Sequence, residues 1–324
     1  MTWAALCVLA GCTASNTAVT PLLNAASPER TGSVVMRPGT YYGCPEFKNG
    51  TYTRDITSAP VDPNSAAYIS SVIQAGDSGG FYASTGVEQV NLANPSTQLY
   101  QVEPRVKWHQ FPKPYPWQSG YYIEPLSDEH AMVVQTRSCH LFEAYGTQFA
   151  YSTLSAYCGA NWSLTRRFVP LPPGTPSAMA SGLPLFAGMV RWEDYQGGAI
   201  DHALNWDGVA GAFAQYNFVR PASDTGGLPF QGSSSFALPW GAHLRLKASF
   251  STQGWGPEAT MVANAMKTYG VYLADTGSTN AIYFANAADG SDPWDTHDLS
   301  SLSSITINDF DVLTLGQVLT VPGH

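Results

Sequence analysis

Two stretches of the chain decide the reading of its fold: Gly197-Gly198-Ala199-Ile200-Asp201-His202-Ala203-Leu204-Asn205-Trp206, and further on Gly241-Ala242-His243-Leu244-Arg245-Leu246-Lys247-Ala248-Ser249-Phe250. At the two-residue period of an extended strand, the first sets Ile200, His202, Leu204 and Trp206 on one face and Asp201, Ala203 and Asn205 on the other. The second sets Leu244, Leu246, Ala248 and Phe250 against Arg245, Lys247 and Ser249. Each reads as a strand with one apolar face and one face of selected polar groups. A solvated sheet surface produces that alternation, and so does a concave sheet lining a groove.

The same period recurs elsewhere. Ala131-Met132-Val133-Val134 reads as a buried strand, followed by Leu141-Phe142-Glu143-Ala144-Tyr145, and further strands are expected at 189–195, 199–206, 243–250, 271–274 and 282–284. Phe111-Pro112-Lys113-Pro114-Tyr115-Pro116-Trp117 is extended but cannot be a central strand, because proline donates nothing to a ladder. Two segments are helical. The first opens at Asp62-Pro63, aligns Ala66, Ile69, Val72 and Ile73, and stops at Gly76. The second runs from Pro257-Glu258 through Val262, Ala263, Met266 and Tyr269 to Gly270. A last helical turn is expected within 289–302. Residues 170–184, rich in Pro, Gly, Ser and Ala, read either as a domain linker or as a surface crossing within one sandwich.

Composition agrees. Among 324 residues, charged side chains make up 12%, about half the usual share, while there are 30 Gly, 23 Pro, 17 Tyr and 9 Trp. Many turn formers and aromatics with few charges suit short strands joined by frequent turns. The expected fold is all-β dominated, a β-sandwich of jelly-roll type with two or three peripheral helices. The net charge of −9 repels phosphate backbones, so no nucleic-acid partner is expected.

Leu9-Ala10-Gly11-Cys12 reads as a bacterial lipobox that places a lipid on Cys12, within a signal segment 1–12. Residues 13–40 read as a flexible tether, and 41–324 as a single β-sandwich domain with an alternative split near 170–184. The expected location is extracellular or the cell surface, with membrane attachment only through the lipid. Cys139 and Cys158 flank a strand–turn–strand unit and suggest a disulfide, with Cys44 left over; spacing alone does not decide among the three. No Cys/His pair has zinc spacing and no phosphate loop is present, so no cofactor or metal is assigned. Asp289, Asp292, Asp295 and Asp298 around Trp294 offer oxygens for calcium but lack the order of a known loop.

For chemistry, Asp201, Asn205, Arg245 and Lys247 would converge if the two polar faces share a groove. Asp201 with Glu143, Glu193 or His202 would then supply the catalytic groups. Asn205, Arg245, Lys247, Trp240, Trp255, His130 and Asp275 would hold substrate. Each has a plainer reading: His202 as a core histidine, Asp275 as a turn cap, the tryptophans as core. No G-x-S-x-G elbow supports a serine nucleophile.

Ala199-Ile200-Asp201-His202-Ala203-Leu204, Leu244-Arg245-Leu246-Lys247-Ala248-Ser249-Phe250, and Lys267-Thr268-Tyr269-Gly270 with Ala274-Asp275 and Gly277-Ser278 resemble a family of secreted bacterial proteins. Ala59-Pro60-Val61-Asp62-Pro63-Asn64-Ser65 and Asp128-Glu129-His130 leading to Cys139, Leu141 and Glu143 extend the resemblance across most of 50–312. Its members are known chiefly as uncharacterised extracellular proteins, so the resemblance implies export and one continuous unit without an activity. It implies shared polar positions at Asp201, His202, Arg245, Lys247, Asp275, His130 and Glu143. Thr276 departs from the asparagine expected there, which loosens any role for that turn.

The expected function is an extracellular carbohydrate-active enzyme, a glycoside hydrolase or polysaccharide lyase, with a polysaccharide partner in an open groove. A noncatalytic glycan-binding or adhesion module and a surface-assembling structural protein are the alternatives.

Overall fold

A computed structural model describes residues 40–47 and 50–324; the lipobox at Cys12 and nearly all of the tether lie outside the described residues. The chain is strand-dominated and sandwich-like, with a six-stranded and a four-stranded sheet at its centre. Ten strands build these two sheets. They are β1 (Phe81–Glu88), β2 (Val90–Ala93), β3 (Ala131–Gln135), β4 (His140–Tyr145), β5 (Cys158–Ser163), β6 (Leu204–Val209), β7 (His243–Leu246), β8 (Val271–Gly277), β9 (Asn280–Ala285) and β10 (Phe310–Val312). The large sheet has the order β10-β7-β8-β6-β9-β1 and the smaller the order β5-β4-β3-β2. Pairing is mixed: β6 runs parallel to β8, β1 to β9 and β2 to β3, while the other neighbours are antiparallel.

Three apolar layers hold the sheets. Met132, Val134, Leu141 and Trp162 of the smaller sheet pack with Tyr272, Ala274 and Ala285 of the larger one, forming the inner layer. The other face of the large sheet, with Leu204, Trp206, Leu244, Leu273 and Phe284, is covered by helices α1 (Ser65–Gln74) and α3 (Pro257–Thr268). Val133, Phe142 and Ala144 on the far face of the small sheet are covered by Tyr115, Trp117 and Leu154. Strands covered on both faces must be apolar on both, which is why β6 and β8 carry so few charges.

Several expectations are corrected. Residues 189–195 are not a strand: helix α2 (Trp192–Gly197) forms there, its first turn anchored where the Asp194 carboxylate accepts the Arg191 backbone N–H at 3.1 Å. Gly198, at φ 89°, ends that helix in the left-handed region that glycine tolerates best. Consequently 199–203 is irregular, and the strand begins only at Leu204. The strand from His243 ends at Leu246 instead of Phe250, leaving Ala248 and Ser249 exposed. Helix α1 starts two residues late, because the Asp62 carboxylate accepts from the backbone of Asn64 and Leu315 instead of capping.

The segment 170–184 runs along the surface at 172–174 and then turns inward. Met179, Ser181 and Leu183 are buried in the inner layer or against it. The disulfide joins Cys44 to Cys139, with Cα atoms 5.3 Å apart, and Cys158 lies buried on β5 outside the bridge. Cys158 pairs in the ladder with Tyr145, while Cys139 sits in the β3–β4 turn, so these two lie on different parts of the sheet. No helix among the described residues is long and apolar enough to cross a membrane.

Candidate active site

Of the four residues expected to share a groove, three are spent on partners within the fold. The Asn205 side chain is covered: it donates to Pro184 O at 2.9 Å and accepts from the Tyr52 hydroxyl at 2.9 Å, completely buried beneath 177–186. Arg245 spends its guanidinium on the carbonyls of Ile56, Thr57 and Ala59, and Lys247 donates to Asn308 O. Both cations therefore staple loops. Asp201, half-buried after α2, lies beside the Tyr269 hydroxyl, whose pKa it helps burial to raise.

The remaining sequence candidates divide. His202 is a core histidine, its Nε2 3.3 Å from Asp194 and its Nδ1 bonded to Ala203 O. Asp194 in turn holds Arg191, which also reaches Glu46 at 2.6 Å. Burial would raise Asp194, but Arg191 and His202 overcome it and lower its pKa to about 2. Glu193, on α2 against Tyr41 and Tyr42, is pushed up to about 7 by burial. Glu143 accepts the backbone N–H groups of Leu185 and Phe186 at 2.9 and 2.7 Å, a structural anchor, and burial lifts it to about 8. Trp240 is core, bonded to Ala214 O, and Trp255 packs against Phe250. Asp289, Asp292 and Asp295 accept from nearby backbone groups and Asp298 from Glu258 N, ordinary capping roles.

His130 and Asp275 belong together, with partners that sequence reasoning missed. His130 opens β3 on the small sheet; its Nδ1 lies 2.9 Å from Glu88 and its Nε2 3.2 Å from Ala178 O. The Ala178 carbonyl only accepts, so Nε2 donates to it, while Nδ1 faces the Glu88 carboxyl. Burial would lower this imidazole, but Glu88 and Glu124 outweigh it and raise it to about 10, leaving it charged. Glu124 accepts the His130 backbone N–H at 3.1 Å, and burial lifts it to about 7.

Opposite, on the large sheet, Asp207 of β6 and Asp275 of β8 are register partners across a parallel ladder. A bulge between Trp206 and Asp207 turns Asp275 to the same side as Asp207, against the plain alternation of β8. A second bulge, between Tyr283 and Ala285, brings Glu88 into line on β1. Bulges re-aim side chains in this way, and both flank one cluster. Tyr283 donates a short hydrogen bond to Asp207 Oδ2, and Asp207 Oδ1, buried, has no hydrogen-bond partner. Burial and the charge of Asp275 raise Asp207 well above the usual carboxylate range. Burial also raises Asp275, to about 6, although Ala180 N and Thr276 N both donate to it at 2.8 Å.

Asp275, Asp128 and Tyr283 are only half-buried and open the cluster to solvent. Tyr122, Tyr145 and Tyr157, also half-buried, stand around it: Tyr122 feels Glu88 and Glu124, and the Tyr145 ring lies 5.8 Å from His130 and 6.0 Å from Tyr157. Glu88, Glu124 and His130 present ligand atoms within 4.8 Å of one another, a donor set able to hold a metal ion in exchange for a His130 proton. The cluster thus sets an imidazole raised to about 10 beside two carboxyls that burial raises to different extents. A sequence signal existed for Asp207, as the one charge inside a strand otherwise buried on both faces. No protein-family model matches the chain, and no curated protein or solved structure matches it either.

Proposed function

We propose that this protein hydrolyses glycosidic bonds, with Asp207 as general acid and Asp275 as nucleophile. The observation that carries the reading is the side-by-side pair, one carboxyl buried and raised well above the usual carboxylate range, the other half-buried and raised to about 6. Two carboxyls whose environments differ in this way are what such hydrolysis requires. Tyr283 donates to Asp207 Oδ2, and the unpartnered Oδ1, buried in the free protein, must be uncovered on substrate binding to carry a proton to the leaving oxygen. As that C–O bond breaks, Asp275 forms an ester to the sugar. Asp207, now ionised, takes a proton from water, which attacks the ester and frees Asp275.

Neighbouring strands run about 4.8 Å apart, which suits the short carboxyl separation of enzymes that retain anomeric configuration. Elimination fits less well. It needs cations to neutralise a uronate carboxyl, whereas Glu88, Glu124 and Asp128 surround the pair and His130 is engaged by Glu88. The substrate class is therefore a neutral glycan, stacked against the half-exposed tyrosines. The Cys44–Cys139 bridge supports export, since such bonds persist in oxidising compartments.

The test is a panel of neutral and acidic polysaccharides, followed by assays for new reducing ends and for the absorbance of unsaturated products. Reducing ends from a neutral glycan, abolished in Asp275→Asn and Asp207→Asn but kept in Asp201→Ala, are expected. Unsaturated products, retention on the glycan without product, or full activity in Asp275→Asn would each refute the assignment.

A further inference from the structure

A second feature lies elsewhere on the inner side of the large sheet. A cleft of about 740 Å³ is bordered by Arg54, Arg167, Arg220 and His243, with Tyr272 and Pro221 among its walls. Its volume falls in the range of small-molecule sites. The whole chain carries 24 acidic against 15 basic side chains, yet among the described residues no carboxylate borders this cleft. Local charge here opposes the net charge of the protein. Asp55, the nearby exposed acid, is turned onto the Thr57 backbone and hydroxyl, and Asp311 is drawn toward Arg245.

The walls are fixed. Arg245 holds the 56–59 backbone in place through its three carbonyl bonds, and Ile56 and Ala59 border the cleft. His243 stacks on Tyr272 with ring centres 4.0 Å apart and donates through Nε2 to Tyr269 O. Burial, with Arg54 and Arg245 nearby, lowers His243 to about 4, so the ring is a neutral wall and the arginines carry the charge. Arg220 is tied to Leu171 O at 2.7 Å, whereas Arg54 and Arg167 are exposed. Thr51, Thr53 and Thr314 add hydroxyls along the same border.

We infer that this cleft binds oxyanion groups, the sulfates or carboxylates of an acidic glycan, independently of the acid–base centre. Guanidinium forks match planar carboxylate and sulfate oxygens, and rigid threonine-rich walls suit a hydroxylated chain. The site differs in sign from the carboxylate cluster. A glycan that the cluster repels is one that this cleft attracts.

The experiment measures binding of the whole protein to heparin (sulfated), polygalacturonate (carboxylated) and dextran (neutral) by affinity electrophoresis and calorimetry at two salt concentrations. Heparin or polygalacturonate should bind, more weakly at higher salt, and dextran should not at this site. The double variant Arg54→Gln/Arg167→Gln should lose roughly tenfold or more in affinity. The control Lys107→Gln/Lys113→Gln, which removes the same charge from exposed positions elsewhere, should bind as the parent does. Near-ultraviolet circular dichroism establishes that the variants are folded. No binding to either acidic glycan, equal loss in both double variants, or unchanged binding in Arg54→Gln/Arg167→Gln overturns the inference. Loss confined to one acidic glycan identifies sulfate or carboxylate as the group held. Hydrolysis of a neutral glycan should be unchanged in Arg54→Gln/Arg167→Gln, so the two assignments fail separately.

Discussion

Asp275→Asn should make the protein inactive and, above neutrality, more stable. In the folded chain Asp275 titrates near 6 against an ordinary 3.8, roughly two units at about 1.4 kcal/mol each, or about 3 kcal/mol. Its half-exposed edge is screened by water, which reduces this to about 2 kcal/mol. Because the folded value is the higher one, the associated stability is present below pH 3.8 and is lost as pH rises through about 6. Asparagine removes that loss. Against it, the amide has a single acceptor oxygen, so one of the two N–H bonds from Ala180 and Thr276 is sacrificed at about 1 kcal/mol. The variant should be about 1 kcal/mol less stable than the parent at pH 4 and about 1 kcal/mol more stable at pH 8. Denaturant melts at both values read this crossing directly, with a gain of about 2–4 °C in Tm at pH 8. Equal destabilisation at both pH values would show that burial does not raise Asp275, and the acid–base assignment would fall with it. In the parent, activity should decline below about pH 6 as Asp275 protonates.

Arg191→Met leaves Glu46 and Asp194 buried without their cation and should cost about 3–5 kcal/mol in denaturant unfolding. It should also erase the stability that Asp194 contributes above pH 3.8 and that the parent loses as pH falls through about 2. Cys44→Ser, or reduction, opens a crosslink between residues 95 apart and should cost about 4–5 kcal/mol by loop entropy; peptide mapping should recover the Cys44–Cys139 pair and none between Cys139 and Cys158. Gly188→Ala places a methyl 2.1 Å from the Asn205 side chain and 2.5 Å from its backbone nitrogen, and a loss of about 1–3 kcal/mol in chemical denaturation is expected.

Local chemistry made much of the fold legible. Pro257 at a helix start, the spacing of Val262, Ala263 and Met266, and the apolar runs at 131–134 and 271–274 all match observed elements. Where the reading failed, tertiary partners overrode alternation. The strand expected at 189–195 became a helix because Arg191 and Asp194 close on each other and on Glu46, which lies far away in sequence. His130 and Asp275 entered through the resemblance, Asp275 with a turn cap as its plainer reading; Glu88 and Tyr283 look ordinary in their own strands, and Asp207, though the one charge in a buried strand, shows its partners only in the fold.

What the sequence alone determined is the class of structure: strands from period-two patterning, helices from caps and apolar stripes, and an acidic, charge-poor surface from composition. Those properties reside within a few neighbouring residues. Which cysteines meet, which side of each strand is covered, and which acids share a field were decided only in the folded chain. Two bulges set Asp207 beside Asp275 and carried Glu88 to His130, and a bulge depends on the partner strand, not on the residues it moves. Charge interactions act through space over several ångströms and across very different chain separations, so the candidate site became visible only with the two sheets packed face to face.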